Sequence, residues 1–171
     1  MKKIHLFIIL ITSLLLQGCI QESRPKDVKL AYKVMFETAN ELKEKFGLNL
    51  IGTGGQMMYD INVMHLSFTS SKNLEIDEAR IFLLECCEIF IKNINNFSEI
   101  HPYLHNFPVT EKNVKLDIYF KVYGVTAEYP NVAIAGAHRG NIVYYYKEKN
   151  DELEATLRET YLEALLKAGI K

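Results

Sequence analysis

His101 and His105 stand four residues apart in HPYLHNFP, and on a helix that spacing would set two metal ligands on one face. Pro102 and Pro108 confine the stretch to a loop or a single turn, and no acidic residue lies between the histidines as in H-E-x-x-H. Packing and hydrogen bonding of a crossing loop is the simpler use. Cys86 and Cys87 are adjacent, and on a helix their side chains would diverge by about 100°. A bond between them would be strained, and with no nearby His or C-x-x-C spacing both read as free thiols filling apolar space. The run GTGG at 52–55 would offer backbone N–H groups to an anion, but phosphate loops lead into a helix and this one leads into another strand. A turn needing positive φ accounts for the glycines. Ser67, Thr69, Ser70 and Ser71 lie near His65 without a G-x-S-x-G frame, and Asp77, Glu78, Glu85 and Glu88 read as a solvated helix face. No catalytic residue, cofactor or metal ligand is assigned on these grounds.

The tyrosines are more suggestive. In NIVYYYK, alternation sends Tyr145 to one face of a strand and Tyr144 and Tyr146 to the other, so at least one large ring faces away from the core. Tyr119, Lys121 and Tyr123 occupy the polar side of the preceding strand. Together with Tyr144 and Tyr146 they are expected to form an aromatic and basic binding face. A pocket collecting His65, His101 or His138 with carboxylates would instead point to an enzyme.

These candidates must be carried by a chain of 171 residues with 20 Lys+Arg against 21 Asp+Glu, and about half of it is apolar. Lys2 and Lys3 precede IHLFIILITSLLL, the layout of a secretory signal, and the run is shorter than the roughly 20 residues of a membrane-spanning helix. Leu16, Gln17 and Gly18 then lead into Cys19, which resembles the lipobox of bacterial lipoproteins. The resemblance implies a diacylglyceryl thioether on Cys19, cleavage after Gly18 and acylation, such as palmitate, on the new amino group. Residues 1–18 are thus expected to be a lipoprotein signal peptide, 19–26 a lipidated tether, and 27–171 one domain. Ile20 stands where an aspartate would favour inner-membrane retention, so the periplasmic side of the outer membrane is favoured. Without residues 1–18 the charge is 18 − 21 = −3, with no basic stripe of the kind nucleic acid requires.

Helical spacing runs from Asp27 to Phe46, with Gly47 as its stop, and again from Ile76 to Phe97. Leu84, Cys87 and Ile91 widen the apolar face of the second helix beyond one sheet contact. They are expected either to be covered by the first or last helix or to meet a second copy. A strand pair is expected between Leu48 and Phe68, with Gly54 and Gly55 at its connection. VKLDIYFKV alternates cleanly, and NVAIAGAHRGNIVYYYK divides into two strands around Arg139, Gly140 and Asn141. Asp151 and Glu154 resemble a capping box opening a last helix through Leu153, Leu157, Tyr161, Ala164 and Ala168. Strands in hairpins between helices imply an α+β two-layer sandwich, a mainly antiparallel sheet with helices on one face.

GTGGQM, LSF at 66–68, DEAR at 77–80, HPYLHNFPVT and NIVYY resemble an uncharacterised family of small bacterial predicted lipoproteins. The stretches span roughly 50–145; His101 stands where the family pattern has Arg. The resemblance implies a shared domain and no activity. The sequence therefore suggests an anchored envelope lipoprotein with a non-enzymatic binding or structural domain, its partners the membrane and an envelope protein or cell-wall component. An anchored hydrolase is the alternative.

Overall fold

The computed structural model describes residues 25–147 and 152–170. The signal segment, Cys19, nearly all of the tether and Asp151 lie outside the described residues.

Helix α1, Lys26–Phe46, forms where Leu30, Ala31, Val34, Met35, Ala39 and Leu42 recur every three or four residues; all are buried. Gly47, at φ 72°, ends it by giving its N–H to the Lys43 carbonyl. Strands β1 (Asn49–Gln56) and β2 (Val63–Ser70) pair antiparallel. Helix α2, Ile76–Asn96, then carries the chain back to β3, Val114–Val122. The chain continues through β4 (Val125–Thr126), β5 (Ile134–His138), β6 (Asn141–Lys147), β7 (Leu153–Thr160) and α3 (Tyr161–Lys167). The strands make a seven-stranded sheet in the order β1-β2-β3-β5-β6-β7, with β4 beside β3. Among the described strands β2 and β3 pair in parallel, because α2 crosses between them. The fold is α+β with a mostly antiparallel sheet, as the spacing of elements implied.

One core forms between one sheet face and the helices. Leu66, Phe68, Leu116, Ile118, Phe120 and Tyr144 meet Met35, Leu42, Leu83 and Phe90 there, all fully buried. Leu84 and Cys87 are also buried, and Ile91 is half-buried against the same core. Leu84 borders a crevice with Tyr161, Leu165 and Ile170, so α3 and the chain after it cover part of the wide apolar face of α2. Burial pushes the Cys87 thiol up to about 12, leaving it protonated and inert.

Two expectations need correction. The last helix does not begin near Asp151: residues 153–160 are strand β7, and α3 starts only after Thr160, whose Oγ1 accepts the Glu163 N–H at 3.2 Å. Leu, Glu and Ala favour helix locally, but β6 would otherwise leave a hydrogen-bonding edge unpaired, and that tertiary pairing overrides propensity. The glycines 52, 54 and 55 are not a positive-φ turn either; they lie inside β1. At Gly55 a Cβ would stand 2.2 Å from the Val63 carbonyl oxygen, so close strand approach requires that glycine.

Candidate functional site

The register lays the face opposite the core out in rows that cross the strands. One row holds Gly54, His65, Lys115, His138, Asn141 and Thr160. The next holds Gly52, Ser67, Asp117, Gly136, Val143 and Arg158. The third contains Thr69, Tyr119, Ile134 and Tyr145. From Gly52 to Gly136 the middle row is made of small residues and one short acid, so it forms a shallow trough between a polar and an aromatic wall, with Val143 and Arg158 at its far end.

Asp117 sits at the centre of the trough. Its Oδ2 lies 2.9 Å from His65 Nε2 and its Oδ1 lies 2.6 Å from His138 Nε2. Strand alternation turns Asp117 to this face because Leu116 and Ile118 take the core, and Gly136 opposite it leaves the space that His138 crosses. A Cβ on Gly136 would stand 2.7 Å from Asp117 Oδ1 and 2.9 Å from His138 Nε2. Burial raises the Asp117 pKa, but hydrogen bonds from His138 and His65 outweigh it, and the carboxyl is held well below the usual aspartate range. Ionised Asp117 only accepts, so each imidazole donates its Nε2–H to it. Ser67 Oγ is 3.0 Å from the same His65 Nε2. A nucleophile relay needs the base to face acid and hydroxyl through different ring nitrogens. Here one nitrogen serves both, so the cluster holds its members in place and relays no proton from Ser67.

Because its folded pKa is depressed, Asp117 contributes stability that is present above the unfolded value of about 3.9 and declines as the pH falls through that range toward the folded value. Urea midpoints measured from about pH 7 down to about pH 3 should therefore fall more steeply for the wild type than for Asp117→Asn. Parallel curves would show that the two imidazole bonds do not stabilise the fold.

Beyond His138 the trough opens into a cavity of about 450 Å³, bordered by His138, Asn141, Val143, Arg158, Thr160 and Glu163. Arg158 is exposed, whereas the Glu163 carboxylate is engaged by the Thr160 N–H at 2.7 Å and the Thr160 hydroxyl at 2.9 Å. Among the described residues no group of three or more His, Cys, Asp and Glu side chains is arranged to hold a metal ion.

Compared with known proteins, the chain matches no family model, no curated sequence and no solved structure.

The expected binding residues separate. Tyr119 and Lys121 stand on the open face. Tyr123 is 100% exposed but belongs to the β3–β4 turn, at φ 50° with Gly124 at φ 82°. Tyr144 and Tyr146 are on the core side and Tyr145 is on the open one, a reversal of the expected assignment. The cause is the two-residue turn of Arg139 (φ 53°) and Gly140 (φ 85°), which pairs His138 with Asn141 and hence the small, core-facing Ala135 with Tyr144. Tyr144 fills that space and donates its hydroxyl to Glu159 at 2.9 Å, and Tyr146 lies against Tyr129 with ring centroids 5.6 Å apart.

His101 is remote in role from the cluster: its Nε2 lies 2.9 Å from the Asn95 carbonyl and its ring stacks on Phe107. His105 Nδ1 contacts Asp60 Oδ2 at 2.6 Å, so both loop histidines tie the crossing segment down. Sequence reading missed the trough and Asp117. Asp117 was visible only as one polar position in a clean alternation, and Gly136 as a glycine inside a strand.

Proposed function

We propose that the chain is a bacterial envelope lipoprotein, anchored through a lipid on Cys19 at the periplasmic side of the outer membrane, akin to the small lipoproteins its motifs resemble. Its domain serves as a non-enzymatic module that binds an envelope protein or cell-wall component through the open sheet face. The observation that supports this reading is the asymmetry of the sheet: α1, α2 and α3 all feed the core on one side, while the other side presents the trough, Tyr119, Tyr145 and Lys121. The hydrolase alternative is less well supported, since Ser67 and Asp117 share one nitrogen of His65.

Cross-linking in intact envelopes tests both parts with the full chain. Wild type and the face variant Lys121→Glu/Arg158→Glu should fractionate with membranes, and Cys19→Ala should not. Adducts captured by the wild type should disappear from the face variant. Membrane retention of Cys19→Ala refutes the anchor, and unchanged adducts refute the face.

A further inference from the structure

We propose that the cavity at the end of the trough and the tyrosine row beside it bind an acidic glycan, with a sugar carboxylate at Arg158 and sugar rings against Tyr145 and Tyr119. This rests on the open face being the binding surface and names what it binds.

Charge is the first ground. The chain as a whole is net negative, yet the strand residues of this face carry Lys115, Lys121 and Arg158 against one carboxylate, Asp117, already matched by two imidazole N–H groups. Lys147, farther along β6, reaches Glu128 at 3.5 Å and is left out of that balance. Two carboxylates also line the cavity: Glu163 accepts two bonds from Thr160 and lies under the field of Lys167, and Glu159 is buried and bonded by Arg80, Tyr144 and Lys167. An incoming anion therefore finds Arg158 as its natural partner, because a guanidinium offers paired donors that match a carboxylate.

Shape and polarity are the second. Because the His65 and His138 rings already fill the trough over Ser67, Asp117 and Gly136, the room left for an elongated ligand runs from the cavity beside Arg158 along the row of Tyr145 and Tyr119. Sugar hydroxyls both donate and accept. The side-chain amide of Asn141 at the cavity, which both donates and accepts, matches that dual character. Tyrosine rings along the other wall offer flat apolar surface to sugar C–H faces while their hydroxyls stay wet.

The test uses the full chain in detergent and titration calorimetry, with short oligogalacturonate as probe. Its carboxyl-reduced counterpart, inorganic polyphosphate and vesicles containing phosphatidylglycerol serve as competitors. Oligogalacturonate should bind, and the carboxyl-reduced chain should bind roughly tenfold more weakly, as loss of one charge-assisted pair implies. Arg158→Ala should impose a similar loss, Arg158→Lys a smaller one, and Tyr145→Ala should weaken binding severalfold; both positions are solvent-accessible in part, and folding of each variant is checked by circular dichroism. The proposal is overturned if the reduced chain binds equally, if polyphosphate or vesicles are preferred, if Arg158→Ala and Tyr145→Ala bind as wild type, or if oligogalacturonate does not bind. In that event, adducts still lost from the face variant in envelopes would leave the open face standing with another ligand class. Adducts unchanged in that variant would remove the face itself.

Discussion

Arg80→Met is expected to cost up to about 3–5 kcal/mol of folding stability, the range for removing one partner of a buried ion pair, since only the half-exposed Lys167 then remains as a charged partner of Glu159. The side chains of Arg80 and Glu159 are only 5% and 1% exposed. Arg80 Nε–H donates to Glu159 Oε1 at 2.7 Å, Tyr144 donates to the same oxygen at 2.9 Å, and Lys167 reaches Oε2 at 2.7 Å. Asp77 closes the network on the other side of the guanidinium. Burial pushes the Glu159 carboxyl upward, but bonds from Arg80, Lys167 and Tyr144 hold it below its ordinary value. With Arg80 gone, a carboxylate among α2, β6 and β7 loses its strongest donor. Adding Glu159→Gln should restore much of the loss, since a neutral amide still accepts from Tyr144 and carries no buried charge. Urea unfolding of the four proteins of this cycle measures the coupling; purely additive losses would contradict it.

Gly136→Ala should cost about 1–3 kcal/mol, the range for overfilling a packed site. The new methyl would meet Asp117 Oδ1 at 2.7 Å and His138 Nε2 at 2.9 Å. Its backbone φ is not in the left-handed region, so the cost arises from crowding and not from torsion. His138 should be displaced from Asp117, visible as loss of the protected Nε2 proton in a histidine-selective nitrogen spectrum. In a His138→Ala background the same substitution should cost less, because one of the two obstacles is gone. An equal cost in both backgrounds would show that the glycine serves the sheet and not the cluster.

Both effects lie at places where distant segments meet, and this marks what sequence reading reaches. The amphipathic spacing of α1 and α2, the Gly47 stop and the alternation of β3 are local patterns that need no partner to be read. They suffice for an α+β fold. Cys19 and its lipobox, outside the described residues, are likewise a local motif, and lipidation is a proposal that stands on the sequence alone. The helix assigned from Asp151 failed because residues 153–160 obey the hydrogen-bonding need of β6, which lies outside their own composition. The face of each tyrosine in YYY was fixed by the Arg139-Gly140 turn through register, and a one-residue change in register would exchange all three.

The Asp117 cluster belongs wholly to the tertiary level. Within β3, Asp117 is one polar residue between Leu116 and Ile118. It becomes a site only because a parallel pairing sets β2 on one side and an antiparallel pairing sets β5 on the other, bringing His65 and His138 from 52 and 21 residues away. Periodicity decides which way a side chain faces along its own strand. Which side chains it meets depends on strand order and register, and these are set by the packing of the whole core.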